Sequence, residues 1–401
     1  MLIVQKYGGT SVGDLGRIEN VANRVAKTKF KGNDVVVVVS AMSGETNKLT
    51  EYAHHFSKNP SKREMDILLS SGERVTASLL AIALQEMGVA AVAMTGRQAG
   101  IQTNNTHTYA RIESINTEAM RGELERGNII IVAGFQGINR EGSVTTLGRG
   151  GSDLSAVAIA GALEADACEI YSDVDGVYTT DPRIEPRAKK LDFISYEEML
   201  ELSSLGAKVL QSRSVELAKK MGVKIVAKSS FNDNEGTTIA EESEEMEEVL
   251  VSGIALDKNQ ARVSLREVSD RPGVAAEIFT KLAETQINVD MIIQNASTDG
   301  TTNLGFTVPQ SELEGAKELI SAFNHDIGSM DFDEKVCKVS VVGVGMQSHS
   351  GVASSAFSAM AEASINIEMI STSEIKVSMI VDEKFGELAV RVLHETYQLD
   401  Q

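Results

Sequence analysis

Lys6-Tyr7-Gly8-Gly9-Thr10-Ser11 follows directly on the apolar run Leu2-Ile3-Val4. A strand that ends in a lysine and two glycines is suited to an anion. Without Cβ atoms, Gly8 and Gly9 let backbone N–H groups close on phosphate oxygens, and the helix that follows points its positive end at them. Alone the pattern is weak, because a Gly-Gly pair after a strand is usually a tight turn. A second glycine-rich turn adds weight: Thr146-Leu147-Gly148-Arg149-Gly150-Gly151-Ser152-Asp153. Two such turns, each with a cation, suggest a site for a polyanion and a second charged ligand.

The rest of the composition narrows that reading. The formal charge is −19, which argues against nucleic acid, whose binding rests on Lys and Arg contacts to phosphate. An acidic chain that binds anions must gather cations locally, and Lys6, Arg149, Arg183 and Lys208 lie in or beside glycine-rich or turn-like segments. The two cysteines, Cys168 and Cys337, are far apart. They form neither a metal-ligand cluster nor a disulfide framework, which fits a reducing cytoplasm. The six histidines show no metal spacing, and His54-His55 reads as a solvated helix face. No run of eighteen apolar residues occurs, so no membrane span is expected, and the N-terminus reads as a core strand and not as a signal peptide.

At 401 residues the chain has room for two or three domains. Continuous β-branched runs at Leu2–Val4, Val35–Val39 and Ile129–Val132 suit parallel strands buried on both faces. Helical patterns at Arg17–Lys27 and Gly72–Met87 alternate with them, which predicts a doubly wound α/β domain. In such sheets ligands gather at the carboxyl ends of the strands. The motifs fall there: Lys6–Gly9, Ser40-Ala41-Met42-Ser43-Gly44 and Gly134-Phe135-Gln136-Gly137. The pattern fades near residue 240, and the acidic stretch 241–248 reads as a solvated linker. Beyond it lies a repeat offset by 78 residues, in which Gly273-Val274-Ala275 answers Gly351-Val352-Ala353 and Ile287–Met291 answers Ile365–Met369. Each copy reads as strand, glycine turn, helix, strand and second helix (312–323 and 385–397), a small domain and not a solenoid unit. Val341-Val342-Gly343-Val344-Gly345 imitates a dinucleotide fingerprint, but Ser348 stands where its third glycine belongs.

At this point several long motifs, in order, resemble the aspartokinase family: Val4–Val12, Val39–Asn47, Gly72-Glu73-Arg74, Thr145–Asp153 and Tyr171–Arg183. The resemblance covers essentially the whole chain, including paired ACT-type repeats. It implies an amino-acid-kinase (carbamate-kinase-like) catalytic domain over 1–240, a linker over 241–248, and two α+β ACT-type (ferredoxin-like) domains over 249–330 and 331–401. It also implies ATP-dependent phosphorylation of the β-carboxylate of L-aspartate, the entry to lysine, diaminopimelate, threonine and methionine synthesis. Another amino-acid-kinase relative, acting on glutamate, carbamate or UMP, and a non-catalytic amino-acid sensor stand as alternatives. The first would lack this run of motifs joined to two repeats, and the second would be expected to have lost the charged residues.

A carboxylate with an ordinary pKa near ~3.9 is already ionised at neutral pH. The chemistry is therefore positioning and charge neutralisation, with no strong general base. By resemblance, Lys6 neutralises the transferring phosphoryl group, Gly8 and Gly9 donate backbone N–H bonds, Lys208 meets the ATP phosphates, and Asp153 orients the lysines. Mg2+ is expected on the phosphates, with no dedicated protein site. ATP contacts are expected at Lys6, Tyr7, Gly8, Gly9, Ser172, Asp173, Tyr178, Asp181, Arg183 and Lys208. Arg149 suits a carboxylate bidentately, and Glu73 can take the α-ammonium. Ser40, Thr46, Gly150, Gly151 and Ser152 complete the acceptor site. Where many relatives carry His-Pro-Arg after the Lys208 motif, this chain has Gln211-Ser212-Arg213. Effector contacts, for lysine, threonine or both, are expected at Asp270, Ala275, Asp290 and Gln294, and at Ala353, Asn366, Ile367 and Ser373. The turns Asp270–Gly273 and Ser348–Gly351 are expected to offer free N–H groups to an effector carboxylate. A homo-oligomer through the ACT-type domains is expected, with a shorter subunit starting near Met246 as a further expectation.

Overall fold

The computed structural model describes residues 1–204, 209–242, 250–295, 300–323, 326–344 and 351–401. These divide into two compact units. The first holds Met1–Val177, Lys190–Ser203 and Lys208–Ser243. The second holds Tyr178–Lys189, Ser204–Ala207 and Glu244–Gln401.

In the first unit the elements run β1 (Leu2–Tyr7), α1 (Leu15–Phe30), β2 (Asp34–Val39), α2 (Glu45–Phe56), α3 (Lys62–Leu69), α4 (Ser71–Glu86), β3 (Ala91–Met94), β4 (Ile101–Thr103), β5 (Ile112–Ile115), α5 (Glu118–Glu125) and β6 (Ile129–Ala133). They continue with β7 (Gln136–Asn139), β8 (Val144–Thr146), α6 (Gly151–Leu163), β9 (Ala167–Ser172), β10 (Phe193–Ser195), α7 (Tyr196–Ser204), α8 (Ser212–Met221), β11 (Ile225–Ser229) and β12 (Thr237–Ala240). Eight strands form one sheet in the order β10-β12-β11-β9-β1-β2-β6-β3, parallel except where β12 meets β11. Strand side chains alternate between faces. Val35, Val37, Val39, Ile129 and Ile131 pack with Ile18, Val21, Ala22 and Val25 of α1 and Ala77, Leu80 and Leu84 of α4. Val36, Val38, Ile130 and Val132 are equally buried on the other face, where α6 packs against β1, β2 and β9. Asp14 caps α1 by accepting the Arg17 N–H. A second, four-stranded sheet is ordered β5-β4-β7-β8.

By length and composition the helical residues Lys62–Glu86 could cross a membrane. Their apolar face is the α4 face packed in the core, and the stretch carries buried Asp66 and Glu73.

The second unit contains β13 (Gly253–Ser269), α9 (Val274–Glu284), β14 (Ile292–Asn295), β15 (Thr301–Val308), α10 (Leu313–Ser321), β16 (Ile327–Val342), α11 (Gly351–Glu362), β17 (Met369–Thr372), β18 (Lys376–Asp382) and α12 (Gly386–Thr396). Its six-stranded sheet runs β14-β15-β13-β16-β18-β17. The long strands β13 and β16 pair antiparallel and serve both repeats. Residues 261–269 of β13 pair with β15 of the first repeat, while Gly253–Asp257 pair with Lys338–Val342 of the second. Val251 and Ile254 accordingly sit in the second repeat's core with Val339, Val352, Met360 and Leu393. The first repeat's core is Val263, Ile278, Phe306, Ala316 and Ile320 with their neighbours.

An ion pair links the repeats in each direction. Lys338 of β16 pairs with Asp290, and Arg262 of β13 lies 3.3 Å from Glu368, the residue at Asp290's place in the repeat.

Candidate active site

Tyr7 is in register with Val39 and Tyr171, and Val39 with Ala133. The segments leaving β1, β2, β6 and β9 therefore start at one level of the sheet. That brings Lys6–Gly9, Ser40–Ala41, Gly134–Phe135 and Ser172 to the same edge. Lys6 Nζ lies 2.6 Å from Asp153 Oδ1, in the first turn of α6, and both side chains are largely buried. The pair is a close, largely buried charge contact. Gly8 is held differently from the sequence expectation: its N–H donates to Tyr171 O at 3.1 Å, continuing the β1–β9 ladder, and is not free for phosphate. The lack of a side chain still matters, because a Cβ on Gly8 would stand 3.3 Å from Lys6 Nζ and one on Gly9 3.1 Å from Ala41 O. Tyr7 is fully buried and stacked on Tyr171 with centroids 4.7 Å apart. Its ring belongs to the core and leaves only backbone for a ligand.

Glu73 sits in the first turn of α4, 4% exposed. One oxygen accepts the Ala41 N–H at 3.2 Å, and Oε2 is buried without a partner. Burial pushes its carboxyl up to about 7, against the opposing hydrogen bonds from the backbone. Gly72 lets α4 approach Ala41, whose Cβ would be 2.7 Å from a Cβ on Gly72. Ser40 follows β2 directly, its N–H on Tyr7 O, and Thr46 lies in the first turn of α2.

The turn between β8 and α6 carries Arg149, exposed, between Gly148 and Gly150, whose φ values of 79° and 71° favour glycine. Gly151 and Ser152 open α6, and Ser152 is 7% exposed. Phe135 faces this turn, and its role could not be inferred from the sequence. It is non-glycine at φ 69°, held there by its N–H on Ser155 Oγ and its carbonyl on Leu147 N–H. A side chain on Gly151 would strike the Phe135 ring at 2.9 Å. Left-handed backbone at a bulky residue persists only where its surroundings impose it.

Asp66 of α3 was also missed. Fully buried, it accepts hydrogen bonds from Thr146 Oγ1 (2.5 Å) and Thr108 N–H (3.0 Å), and its other oxygen lies 2.6 Å from His107 Nδ1. It fixes the start of the Arg149 turn. No local sequence signal marks it, because its partners are some forty and eighty residues away.

Ser172 ends β9, its carbonyl accepting from Ser230, and Asp173 after it is exposed. Tyr178, Asp181 and Arg183 belong to the second unit. There Arg183 makes a two-pronged contact to Asp181, and Thr179 bonds to His394 of α12 and to Ile254 of β13. Lys208 and Met246 lie outside the described residues.

Of the effector candidates, Asp270, Asp290, Gln294, Asn366 and Ser373 are exposed, and Ala275, Ala353 and Ile367 are half-buried. Gln294 is on edge strand β14, and Ser373 follows edge strand β17. Two details differ from expectation. The Asp270 and Arg271 N–H groups donate to Gly300 O and Ser269 O and are not free. The Asp290 carboxylate is engaged by Lys338. Residues 348–350 of the second turn lie outside the described residues. Among the described residues no cluster of three metal-ligating side chains occurs.

Residues 1–229 match the amino acid kinase family, and residues 265–322 and 339–397 match an ACT domain. Fold and site together thus define an amino-acid kinase with two ACT domains. The chain is 58% identical over 405 residues to the aspartokinase of Helicobacter pylori (strain J99), with 100% of both chains covered. Its structure is similar to that of E. coli aspartokinase III in complex with aspartate and ADP (R-state), with a TM-score of 0.79, 26% identity and 99% of each chain covered. The same values hold for the E. coli enzyme in complex with lysine and aspartate (T-state). The chain belongs to the aspartokinase family.

Proposed function

We propose that this aspartokinase transfers the γ-phosphoryl group of ATP to the β-carboxylate of L-aspartate, giving 4-phospho-L-aspartate and ADP. The observation that carries acceptor recognition is Glu73 Oε2, a buried acceptor with no partner beside the aligned strand ends. Such an atom calls for a donor, and the substrate's α-ammonium is that donor. Arg149 takes a substrate carboxylate with its planar fork. Ser40, Thr46 and Ser152 hydrogen-bond the remaining oxygens.

The reacting carboxylate is an anion attacking an anion, so the barrier is lowered by cations set in place beforehand. Lys6 is held by Asp153 before any ligand arrives. It neutralises the charge growing on the transferred phosphoryl oxygens. The α6 N-terminus, opening at Gly151, adds its positive end. Mg2+ carried on the ATP phosphates would supply further neutralisation. Asp153, in the first turn of α6 and paired with Lys6, is the carboxylate that would make an outer contact to it. Lys208 serves the nucleotide, as the family resemblance implies.

The ACT domains read an amino-acid end product, lysine or threonine. The exposed Ile292 and Ile370 on the two edge strands suit cover by a second copy, which supports a homo-oligomer, and the free, buried Cys168 and Cys337 suit a reducing cytoplasm. The test is ATP turnover with L-aspartate in the presence of hydroxylamine. Aspartyl hydroxamate should form in step with ADP. ADP release without hydroxamate, or faster turnover with glutamate, would contradict the reading.

A further inference from the structure

Two side chains grip the Arg149 turn from behind. Gln211, the N-cap residue of α8, donates Nε2–H to Arg149 O at 2.7 Å. Arg213, in the first turn of α8, donates from Nη1 to Leu147 O at 2.7 Å and from Nη2 to Ala110 O at 3.2 Å. Its guanidinium carbon lies 4.6 Å from the centre of the Tyr109 ring. Tyr109 and Gln211 in turn fill the space left by the glycines on either side of Arg149. A Cβ on Gly148 would be 2.6 Å from Tyr109 Cδ2, and one on Gly150 would be 2.6 Å from Gln211 Cγ.

We propose that Arg213 and Gln211 are positioning residues for the acceptor: they fix the backbone on both sides of Arg149, so that its guanidinium meets the aspartate carboxylate already oriented. This rests on the reading of Arg149 as the carboxylate ligand. The physical need is plain. An arginine flanked by two left-handed glycines stands on the most permissive backbone a chain can offer, and ordering it on binding costs entropy. Carbonyls 147 and 149 pinned by α8 remove that cost beforehand.

The ordinary reading of Arg213 is a helix arginine that helps hold the fold together. Two observations weigh against it. The fork satisfies carbonyls from two segments thirty-seven residues apart, both adjoining the acceptor turn, because Ala110 N–H also donates to Thr146 O. Behind the stack lies a cavity of about 640 Å3, lined by Tyr109, Leu154, Ala158, Arg213, Leu217 and Met221. The Arg213 stem therefore borders open space and does not complete a packed core.

The test separates aspartate from ATP. Arg213→Lys keeps the charge but cannot span two carbonyls and stack on the ring. It should raise the KM for aspartate about tenfold, the worth of roughly one lost charged hydrogen bond. The KM for ATP should stay within about twofold and Tm should fall by no more than about 3 °C. Tyr109→Phe, which keeps the stack, should behave as wild type, whereas Tyr109→Ala should share the aspartate defect. In an Arg149→Ala background Arg213→Lys should have no further effect on aspartate KM. An unchanged aspartate KM in Arg213→Lys, or equal rises in both KM values with a large drop in Tm, would overturn the clamp. If Arg149→Ala alone leaves aspartate KM unchanged, the acceptor reading of Arg149 fails, and the clamp built on it fails with it. A clear Arg149→Ala defect beside a silent Arg213→Lys rejects the clamp only.

Discussion

Lys6 and Glu73 are 8% and 4% exposed, and each is set by contacts within the first unit. Asp270, Gln294, Asn366 and Ser373, the effector candidates, are exposed at turns and beside sheet edges of the second. The proposed kinase site holds its charges through contacts of its own, Lys6 on Asp153, and leaves Glu73 Oε2 buried without a partner. The effector positions offer small or polar side chains on open surface, where binding energy must come from a ligand and whatever closes over it. Damage to the first region should therefore abolish chemistry. Damage to the second should change only how chemistry is controlled, because a regulator acts through its differential affinity for two states.

The largest effect belongs to Lys6→Ala. Removing a fixed cation from the path of the phosphoryl group should cost at least about a thousandfold in kcat. The circular dichroism spectrum should be retained, and near-normal kcat in a folded variant would put the charge elsewhere.

Next comes Glu73→Gln, which keeps the shape but gives the ammonium no counter-charge; aspartate KM should rise roughly tenfold or more. The pH dependence sharpens the case. With its carboxyl raised to about 7, wild-type Glu73 is increasingly ionised as pH rises through 7, so aspartate KM should fall over that window and the Gln variant should lose the trend. Stability has the opposite sign. The native state holds the proton more tightly than the unfolded chain, so this group's contribution is full below its ordinary pKa of about 4.3 and is lost as pH rises toward 7. Glu73→Gln should accordingly gain Tm relative to wild type at pH 8.

The two repeats supply an intermediate test. Asp290→Ala leaves the Lys338 ammonium, which is 4% exposed, without its partner. Unpairing a buried charge costs on the order of 3 kcal/mol, to be read from urea unfolding. Glu368→Ala should cost less, because Arg262 keeps Asp331 at 3.0 Å. Equal losses would mean that the cross-repeat pairs are not weighted by burial.

The smallest effect on turnover is expected from Ser373→Phe. Its site is exposed beside β17, so uninhibited kcat should be nearly unchanged. The lysine or threonine concentration needed for inhibition should rise. Unaltered inhibition would move the effector pocket away from Ser373, and a wild type that no amino acid inhibits would end the sensing proposal.

The motifs were legible because each is contiguous and sits at a strand end, where parallel register fixes its place: Lys6, Ser40, Gly134 and Ser172 follow from β1, β2, β6 and β9 alone. Glu73 entered through the family motif Gly72-Glu73-Arg74, and the structure places it in the first turn of α4. What escaped depends on long-range contact. Asp66, Gln211 and Arg213 reach the Arg149 turn from other elements, and no spacing rule announces them. Gly8 was misjudged because a glycine after a strand can extend the ladder as well as end it. The repeat was visible at its 78-residue offset, but not the way Gly253–Asp257 crosses into the second repeat's core. Nor does sequence show that Tyr178–Lys189 packs with the second unit, since that rests on pairs such as Thr179 with His394.

The central claim is that a buried, proton-prone carboxylate recognises the acceptor's ammonium. Calorimetry of L-aspartate binding at pH 6.5, in two buffers of different ionisation enthalpy, tests it most directly. Glu73, partly protonated in the free enzyme, must lose its proton as the ammonium arrives. The apparent enthalpy should thus depend on the buffer in the sense of proton release for wild type, and the dependence should vanish in Glu73→Gln. Binding that releases no proton in wild type, or the same amount in both proteins, would contradict the account.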